Sequence, residues 1–191
     1  MSTAHGIETE VKIRLGDLAS APVKLSAAGF SISVPRLFES NTLYDTPDLT
    51  LRRAQMLLRL RHVGGESIIT WKGPTFPGEH KIRPELETSL GSLETMAQIL
   101  RSLGYQATFR YEKYRTEYQQ EASPDGTVTL DETPIGNFLE LEGAPDWIDL
   151  TAVQLGFGRG DYVLLSYGRL YLDFCAENGL EPSDMVFRGV H

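Results

Sequence analysis

Cysteine is almost absent from this sequence: among 191 residues there is one, Cys175. A single cysteine excludes an intrachain disulfide and a metal site built from several cysteines. Long apolar runs are absent too, and none approaches the roughly 20 residues of a membrane-spanning helix. The opening residues, MSTAHGIETE, lack the basic and apolar regions of a signal peptide. We therefore expect a cytoplasmic protein without a membrane partner.

Positively charged residues are outnumbered: 18 Lys and Arg stand against 26 Asp and Glu, which gives a net charge of -8 at pH 7. This balance argues against a nucleic-acid partner. The charge is unevenly distributed, with 15 Lys and Arg against 12 Asp and Glu in residues 1–115, but 3 against 14 in residues 116–191. An acidic chain with a basic region is better matched to a small anionic ligand. The length predicts a single domain over residues 1–191.

Alternation is the clearest pattern present. In IETEVKIRL, residues 7–15, the charged residues Glu8, Glu10, Lys12 and Arg14 occupy every second position. A period of two is typical of a β-strand with two different faces. For Arg14, a rim charge in water and a functional charge remain equally open. Similar strands are predicted in MLLRLRHV (56–63), SIITWKG (67–73), HKIRPELETSL (80–90), FRYEKYRTEYQQ (109–120), SPDGTVTLDE (123–132) and GNFLELEG (136–143).

Breaks and helices separate these strands. Pro84 predicts an edge or bulge within residues 80–90, and Asp125-Gly126 predicts a turn before the strand that follows it. Helices are predicted in residues 17–30, 91–105, 144–156 and 165–179, with Ser92 and Ser166 as N-caps. Together the elements predict an α+β fold.

Three Glu-x-Glu pairs indicate where the charged faces point. The pairs 8/10, 85/87 and 140/142 each place two carboxylates on one face, where they repel each other. This arrangement is reasonable if a cation lies between the carboxylates, or if Arg and Lys project from strands across an enclosed space. The alternative is an ordinary sheet with its charged face in water. Because the pattern recurs on many strands, we predict a barrel with charges inside and apolar faces outside, under the helices.

An enclosed lumen of this kind favours a particular ligand class. Arg and Lys from several strands can bind a polyanion, and Arg binds phosphate oxygens with two parallel hydrogen bonds. Carboxylates beside phosphates are compatible through a divalent metal ion such as Mg²⁺. The lumen therefore predicts a site for a metal–triphosphate complex.

The motif ETEVK, residues 8–12, resembles the Glu-x-Glu-x-Lys signature of CYTH domains, also called triphosphate tunnel metalloenzymes. This family includes class IV adenylyl cyclases, thiamine triphosphatases and inorganic triphosphatases. The resemblance continues in the family's order through NTLYDTPDLTL, LRLR, TWKGP, RPELE, KYR, LDETPIGNFLELEG and SYGRLY. It implies one CYTH-like domain, folded as an antiparallel eight-stranded β-barrel with helices packed on the outside.

The resemblance also implies site residues. Triphosphate-binding residues would be Lys12, Arg59, Arg61, Lys72, Arg83, Lys113 and Arg115. Ligands of Mg²⁺ or Mn²⁺ would be Glu8, Glu10, Glu87, Asp131, Glu140 and Glu142, while Glu85 lies in the same motif with a less definite role. Lys72 is predicted to assist catalysis, because a desolvated lysine among other cations loses its proton more readily. The alternative for Lys72 is one more phosphate clamp.

The branch within the family decides the reaction. The motifs most resemble those of class IV adenylate cyclases, which convert ATP to cyclic AMP and pyrophosphate. This resemblance also implies a possible homodimer. The alternatives are a hydrolase of tripolyphosphate or thiamine triphosphate, and a polyphosphate-binding module without catalysis. Leu43 stands at the position where the thiamine triphosphatase motif has a Tyr. This difference argues against thiamine triphosphate as the substrate. We expect Tyr44 and the following Asp-Thr-Pro to shape a turn, Trp147 to lie in the cover or core, and His80 to be exposed.

Overall fold

Ten antiparallel strands and five α-helices make up the computed structural model, which describes residues 6–188. Eight strands have six or more residues: β1 (Glu8–Leu15), β2 (Ser31–Asp45), β3 (Leu57–Val63), β4 (Glu66–Lys72), β6 (Glu85–Leu90), β7 (Gln106–Gln120), β8 (Ser123–Thr133) and β9 (Gly136–Glu142). Two are short: β5 (Lys81–Arg83) and β10 (Tyr162–Val163). The helices are α1 (Ser20–Ala27), α2 (Thr50–Arg53), α3 (Leu93–Ser102), α4 (Pro145–Gln154) and α5 (Tyr167–Glu177), with a 3-10 helix at Arg159–Asp161.

Strand pairing closes the sheet on itself. The order is β10-β1-β9-β8-β7-β2-β3-β4-β6, and β5 pairs with β1. The segments β5 and β6 are adjacent in sequence, with β6 on β4 and β5 on β1, so the segment 81–90 joins the two sides of the sheet. The predicted antiparallel barrel of the α+β class is thereby confirmed, although its sheet has ten strands, eight of them long, where the sequence predicts eight.

Pro84 lies at the switch between the two pairings, as its missing amide hydrogen predicts. Its carbonyl still accepts a hydrogen bond from the amide of Gly73 at 2.8 Å. The barrel therefore closes at the one residue of this segment that cannot continue a regular ladder.

Helices cover the outward faces of the strands, as predicted from the alternation. Val11 and Ile13 on β1 are fully buried against α1 and α4, in a cluster that contains Leu25 and Ile148. Helix α3 covers β3, β4 and β6 through a second cluster around Leu100. Most of the hydrophobic burial that stabilises this fold lies on the outer faces of the strands. Within residues 6–188, no helix is both long and apolar enough to cross a membrane.

Helix α5 packs against Tyr111 of β7 and Phe138 of β9. Its residues Leu170, Tyr171 and Cys175 are buried in a third cluster with Met185 from the C-terminal segment. Cys175 is a free, fully buried thiol, so its role here is packing. Tyr167, the first residue of α5, reaches the lumen, where its hydroxyl contacts Asp131.

Two features differ from the sequence predictions. The 15-residue strand β2 was not predicted, because its apolar residues change parity: Ile32 and Val34 lie on one parity and Leu37 on the other, with a register shift around Pro35. The predicted turn at Asp125-Gly126 is wrong, since both residues belong to β8 and the chain turns at residues 121–122 instead.

The expected turn after Tyr44 is present. One oxygen of the Asp45 carboxylate accepts backbone hydrogen bonds from Thr46 at 2.7 Å and Leu51 at 2.9 Å, and the other accepts one from Arg52 at 2.9 Å. Asp45 thus caps the one-turn helix α2.

Gly126 is required because Trp147 of α4 packs directly on it. A Cβ atom at Gly126 would lie 2.3 Å from the indole ring, closer than real Cβ contacts. We expect Gly126→Ala to lower the free energy of unfolding by about 2 kcal/mol, the usual scale of overpacking. Urea denaturation measures this change. The matched control is Gly160→Ala, which has nothing within 4 Å of its Cβ position, and an equal loss in both variants would contradict the packing argument.

Candidate functional site

The inward faces of the strands carry charges of both signs. The cations are Lys12, Arg59, Arg61, Lys72, Lys81, Arg83, Lys113 and Arg115, and the carboxylates are Glu8, Glu10, Glu39, Glu85, Glu87, Asp131, Glu140 and Glu142. These eight cations and eight carboxylates make a formally neutral lumen. All seven predicted triphosphate-binding residues and all six predicted metal ligands are among them.

Burial shows that the lumen is enclosed by protein. Asp131 is 0% exposed, Glu39 1% and Lys113 2%. A charge so deeply buried is tolerated only when it is paired. The interpretation with charges inside is therefore correct, and the alternative of a sheet face in bulk water is excluded.

Asp131 is the centre of the first group of ion pairs. Its two oxygens accept hydrogen bonds from Arg115 at 2.7 and 2.6 Å, and one of them also from Lys113 at 3.0 Å. The hydroxyl of Tyr167 donates a further hydrogen bond to Asp131 at 2.7 Å. Arg115 also contacts Glu140, which pairs with Lys12 at 3.0 Å. The contacts of Asp131 are those of a counter-ion that orients two cations.

Glu87 is the centre of the second group. Both of its oxygens accept from Arg61 at 2.9 Å, and one accepts from Thr70 at 2.8 Å. The hydroxyl of Thr70 in turn accepts from Arg59 at 3.1 Å. Within residues 6–188, the buried Nε atoms of Arg59 and Arg61 have no hydrogen-bond partner. Two guanidinium groups thus keep donors that are available to a bound anion.

The sequence prediction missed Glu39 and Asn41, which project into the lumen from β2. Glu39 lies 3.5 Å from the ammonium group of Lys113 and 3.9 Å from Arg61, and Asn41 donates to it at 2.9 Å. Burial acts to raise the pKa of Glu39, but Lys113, Arg115 and Arg61 outweigh burial and hold it far below its usual range. Glu39 and Asn41 are two residues apart, so they share one face of a strand. That spacing becomes informative only when β2 is known to be a strand.

A third group gathers lysines and carboxylates where β1 meets β5 and β9. Lys72 pairs with Glu8 at 2.6 Å and with Glu85 at 3.2 Å. Glu10 accepts from both Lys12 at 3.0 Å and Lys81 at 2.5 Å. Lys81 was missing from the predicted site, although it shares the parity of Arg83 and that signal could have identified it.

Negative charge is in local excess in this third group. One buried oxygen of Glu8 has no hydrogen-bond partner among the described residues, and burial together with Glu10 raises its pKa. Glu142 pairs with Glu10 across β1 and β9. The side chain of Glu142 reaches solvent, yet the surrounding protein atoms desolvate it, and with Glu8 and Glu10 they raise its pKa to about 7. These three carboxylates repel each other and would gain from an added cation.

The two lysines of this group differ in pKa. Burial acts to lower the pKa of Lys72, but Glu8 and Glu10 outweigh it and the pKa is raised. Burial lowers the pKa of Lys81, with Lys12 and Lys72 adding to the effect against the opposing charge of Glu10. The environment of Lys72 thus favours the phosphate-clamp interpretation over ready loss of its proton.

Three further residues have defined positions. Arg83 donates to the backbone carbonyls of Gly73 at 2.9 Å and Gln55 at 3.2 Å, so it anchors two loops beside the lumen. Arg14 is exposed and donates to the carbonyl of Ile135 at 3.2 Å, which matches a rim charge. The prediction that His80 is exposed is wrong, since it is buried and hydrogen-bonded to Asp149 on α4 at 2.9 Å.

The carboxylates fit Mg²⁺ or Mn²⁺ by their chemistry. Both ions prefer oxygen ligands, and Glu8, Glu10 and Glu142 offer them together with one unpartnered oxygen. The present partners of Glu8 and Glu10 are lysines, and no three His, Cys, Asp or Glu side chains in the described part of the chain are already gathered in a metal-binding arrangement. A bound ion would therefore replace ammonium groups as the counter-charge of these carboxylates.

Comparison with known proteins identifies the family. The model of the CYTH domain matches residues 6–150, and the chain belongs to this family of triphosphate tunnel proteins. A candidate adenylate cyclase of Methanocaldococcus jannaschii is 30% identical over 137 residues, which are 71% of this chain and 76% of that protein.

Solved structures share the fold. A candidate adenylate cyclase of Vibrio parahaemolyticus has a TM-score of 0.76 at 21% identity, over 86% of this chain and 97% of the other. HpAC1 from Hippeastrum, a candidate adenylyl cyclase described as having a dominant triphosphatase activity, has a TM-score of 0.62 at 17% identity, over 92% of this chain and 97% of its own.

Glu39 should be essential to the neutrality of the lumen. In Glu39→Gln the cations around it lose a buried counter-charge, so we expect the free energy of unfolding to fall by about 3 kcal/mol. The matched control is Glu132→Gln, which breaks the partly exposed pair with Arg36 and should cost less than about 1 kcal/mol. Urea denaturation at pH 7 compares the two variants. Equal losses would mean that Glu39 is not an essential counter-ion.

Proposed function

We propose that this protein is a divalent-metal-dependent enzyme that binds ATP in its lumen and acts as a class IV adenylate cyclase-like enzyme. The observation that carries the proposal is the convergence of eight cations from five strands, β1, β3, β4, β5 and β7, on one buried lumen. A fold does not gather so many buried charges for stability alone, because desolvation makes each of them costly. A polyanionic ligand would account for these buried cations, because it would bind them directly.

Charge balance supports metal dependence. The fixed charges of the lumen already cancel, so a triphosphate alone would leave several negative charges uncompensated in a region of low dielectric. Divalent cations that enter with the ligand restore neutrality. We propose Glu8, Glu10 and Glu142 as their ligands, because Glu8 and Glu10 have lysine partners, one oxygen of Glu8 is unpartnered, and the pKa of Glu142 is raised.

The remaining predicted metal ligands fit a different role. Glu87, Asp131 and Glu140 are each held by arginine, Glu87 with two hydrogen bonds from Arg61 and Asp131 with two from Arg115. We propose that they orient the phosphate-binding arginines. Arg59 and Arg61 would then present their unpartnered Nε donors to the phosphate chain.

The residues of the lumen stabilise the charge that develops during phosphoryl transfer. When bound, the metal ion neutralises phosphate oxygens and stabilises the leaving group. In the cyclase reaction the ribose hydroxyl of ATP attacks the α-phosphate, and pyrophosphate departs. Lys72, which stays protonated between Glu8 and Glu85, would bind the phosphate chain and hold it in line for this attack.

Triphosphate hydrolysis is the second candidate. HpAC1 shares this fold and is described as a dominant triphosphatase. The same cations would bind tripolyphosphate, and a water molecule would attack the terminal phosphate in place of a ribose hydroxyl. The relative from Methanocaldococcus jannaschii, named as a candidate adenylate cyclase, favours the first candidate.

A substrate panel tests the proposed function. We expect the purified protein to convert ATP to cyclic AMP and pyrophosphate with Mg²⁺ or Mn²⁺, and to lose this activity in EDTA. The panel contains ATP, GTP, thiamine triphosphate and tripolyphosphate, with every product identified by chromatography and mass spectrometry.

Each outcome of the panel has a defined meaning. Inorganic phosphate without cyclic AMP or pyrophosphate would assign the hydrolase. Thermal stabilisation by tripolyphosphate without turnover would assign a binding module, since a ligand at 100 times its Kd adds about 2.7 kcal/mol to stability. Absence of both turnover and stabilisation would contradict the proposed function altogether.

Arg61 offers a test of phosphate binding. We expect Arg61→Met to weaken tripolyphosphate binding by at least about tenfold, the scale of one lost hydrogen bond to a charged group. Isothermal titration calorimetry with Mg²⁺ present measures the Kd. Arg36→Met is the matched control, because Arg36 is a half-exposed arginine outside the lumen. An unchanged Kd in Arg61→Met would remove Arg61 from the binding set.

A further inference from the structure

Tyr167 enters the lumen from a helix rather than from a strand. It is the first residue of α5, and the side chain of Ser166 caps the helix by accepting from the amide of Arg169 at 3.3 Å. The cap fixes where α5 begins and therefore where Tyr167 lies. The side chain is 6% exposed, although its neighbours in space are charged.

Three lumen charges contact this one side chain. The hydroxyl donates to Asp131 at 2.7 Å. The ammonium groups of Lys12 and Lys113 lie over the ring, 5.2 and 5.3 Å from its centroid. The face of an aromatic ring attracts cations, so the ring and the hydroxyl bind groups of opposite sign.

The rings of two strand residues pack against the ring of Tyr167. The rings of Tyr111 and Phe138 lie 6.1 and 5.5 Å from its own, and we call these three rings the aromatic floor. Tyr111 accepts a hydrogen bond from Arg59 at 3.3 Å. The aromatic floor thus contacts Arg59, Lys12 and Lys113 directly.

We propose that Tyr167 is a positioning residue for the triphosphate-binding cations. Its hydroxyl fixes Asp131, which orients Arg115 and Lys113, and its ring holds Lys12 and Lys113 at one end of the lumen. The docking of α5 is thereby coupled to the arrangement of the cations. This inference rests on the proposed function only where ligand affinity is concerned.

A packing role alone does not account for these contacts. The next tyrosine of α5, Tyr171, is equally buried at 7%, but its hydroxyl contacts Ser183 and the carbonyl of Asp184 in the C-terminal segment. Tyr171 therefore anchors α5 without touching a lumen charge. It provides a matched control for the loss of a buried hydroxyl from the same helix.

The first measurement does not depend on any substrate. In protein with ¹³C-labelled lysine, the ring current of Tyr167 should shift the Cε proton signals of Lys12 and Lys113 upfield, and Lys12→Arg and Lys113→Arg assign the two signals. Tyr167→Leu should remove both shifts, whereas Tyr167→Phe and Tyr171→Phe should keep them. Signals unshifted in the wild type, or unchanged in Tyr167→Leu, would overturn the contact between ring and lysines.

The second measurement addresses the hydroxyl. We expect Tyr167→Phe to bind tripolyphosphate with Mg²⁺ about tenfold more weakly than the wild type, while Tyr171→Phe stays within about twofold. Equal affinities in the two variants would overturn the positioning role. If the wild type binds no triphosphate, the proposed function fails, and the lysine signals still decide whether Tyr167 positions the ammonium groups.

Discussion

Neutralisation of buried charge is the constraint on which this structure depends. The strands alternate between a charged face and an apolar face, and closure of the barrel puts every charged face inside. Ion pairs such as Lys12–Glu140 and Lys113–Asp131 then join neighbouring strands along the lumen wall. The apolar faces need a cover, and α1, α3 and α4 supply it. Hydrophobic burial therefore stabilises the outside of the wall, while charge balance decides whether the inside is tolerated.

Although the charges of the lumen balance, some of its buried polar atoms have no hydrogen-bond partner among the described residues. The unpartnered oxygen of Glu8 and the unpartnered Nε atoms of Arg59 and Arg61 are buried. Each such atom costs about 1–3 kcal/mol when nothing pairs with it. The Oδ1 atom of Asn41 and the Oγ1 atom of Thr129 are also buried without a partner within residues 6–188, whereas most other buried polar groups of the lumen are paired. Sites where a fold tolerates this loss are typically sites that bind a ligand.

Most strands of the barrel could be predicted from the sequence, because the alternation of charged and apolar residues is a local property of a strand. It failed where the local pattern was obscured. Glu39 and Asn41 were missed since β2 has exposed apolar residues and a proline within it, although both side chains project inward. The local sequence predicts an exposed His80, because its burial against α4 depends on a contact with a residue 69 positions away. Partners of this kind follow from closure of the barrel, which no single segment of the sequence contains.

The same limit explains why the six predicted metal ligands looked equivalent in the sequence. Strand register separates them, since β1–β9 pairing sets Glu10 opposite Glu142 among lysines, whereas Asp131 and Glu87 face arginines. An arginine that binds a carboxylate through two hydrogen bonds is held in one geometry, while a lysine is a compact, strongly hydrated charge on a flexible stem. Lysine partners are therefore the easier ones to exchange for a divalent ion. Under the proposed function, the choice between lysine and arginine at each carboxylate would divide the lumen into a part that accepts metal and a part that keeps its cations fixed for phosphate.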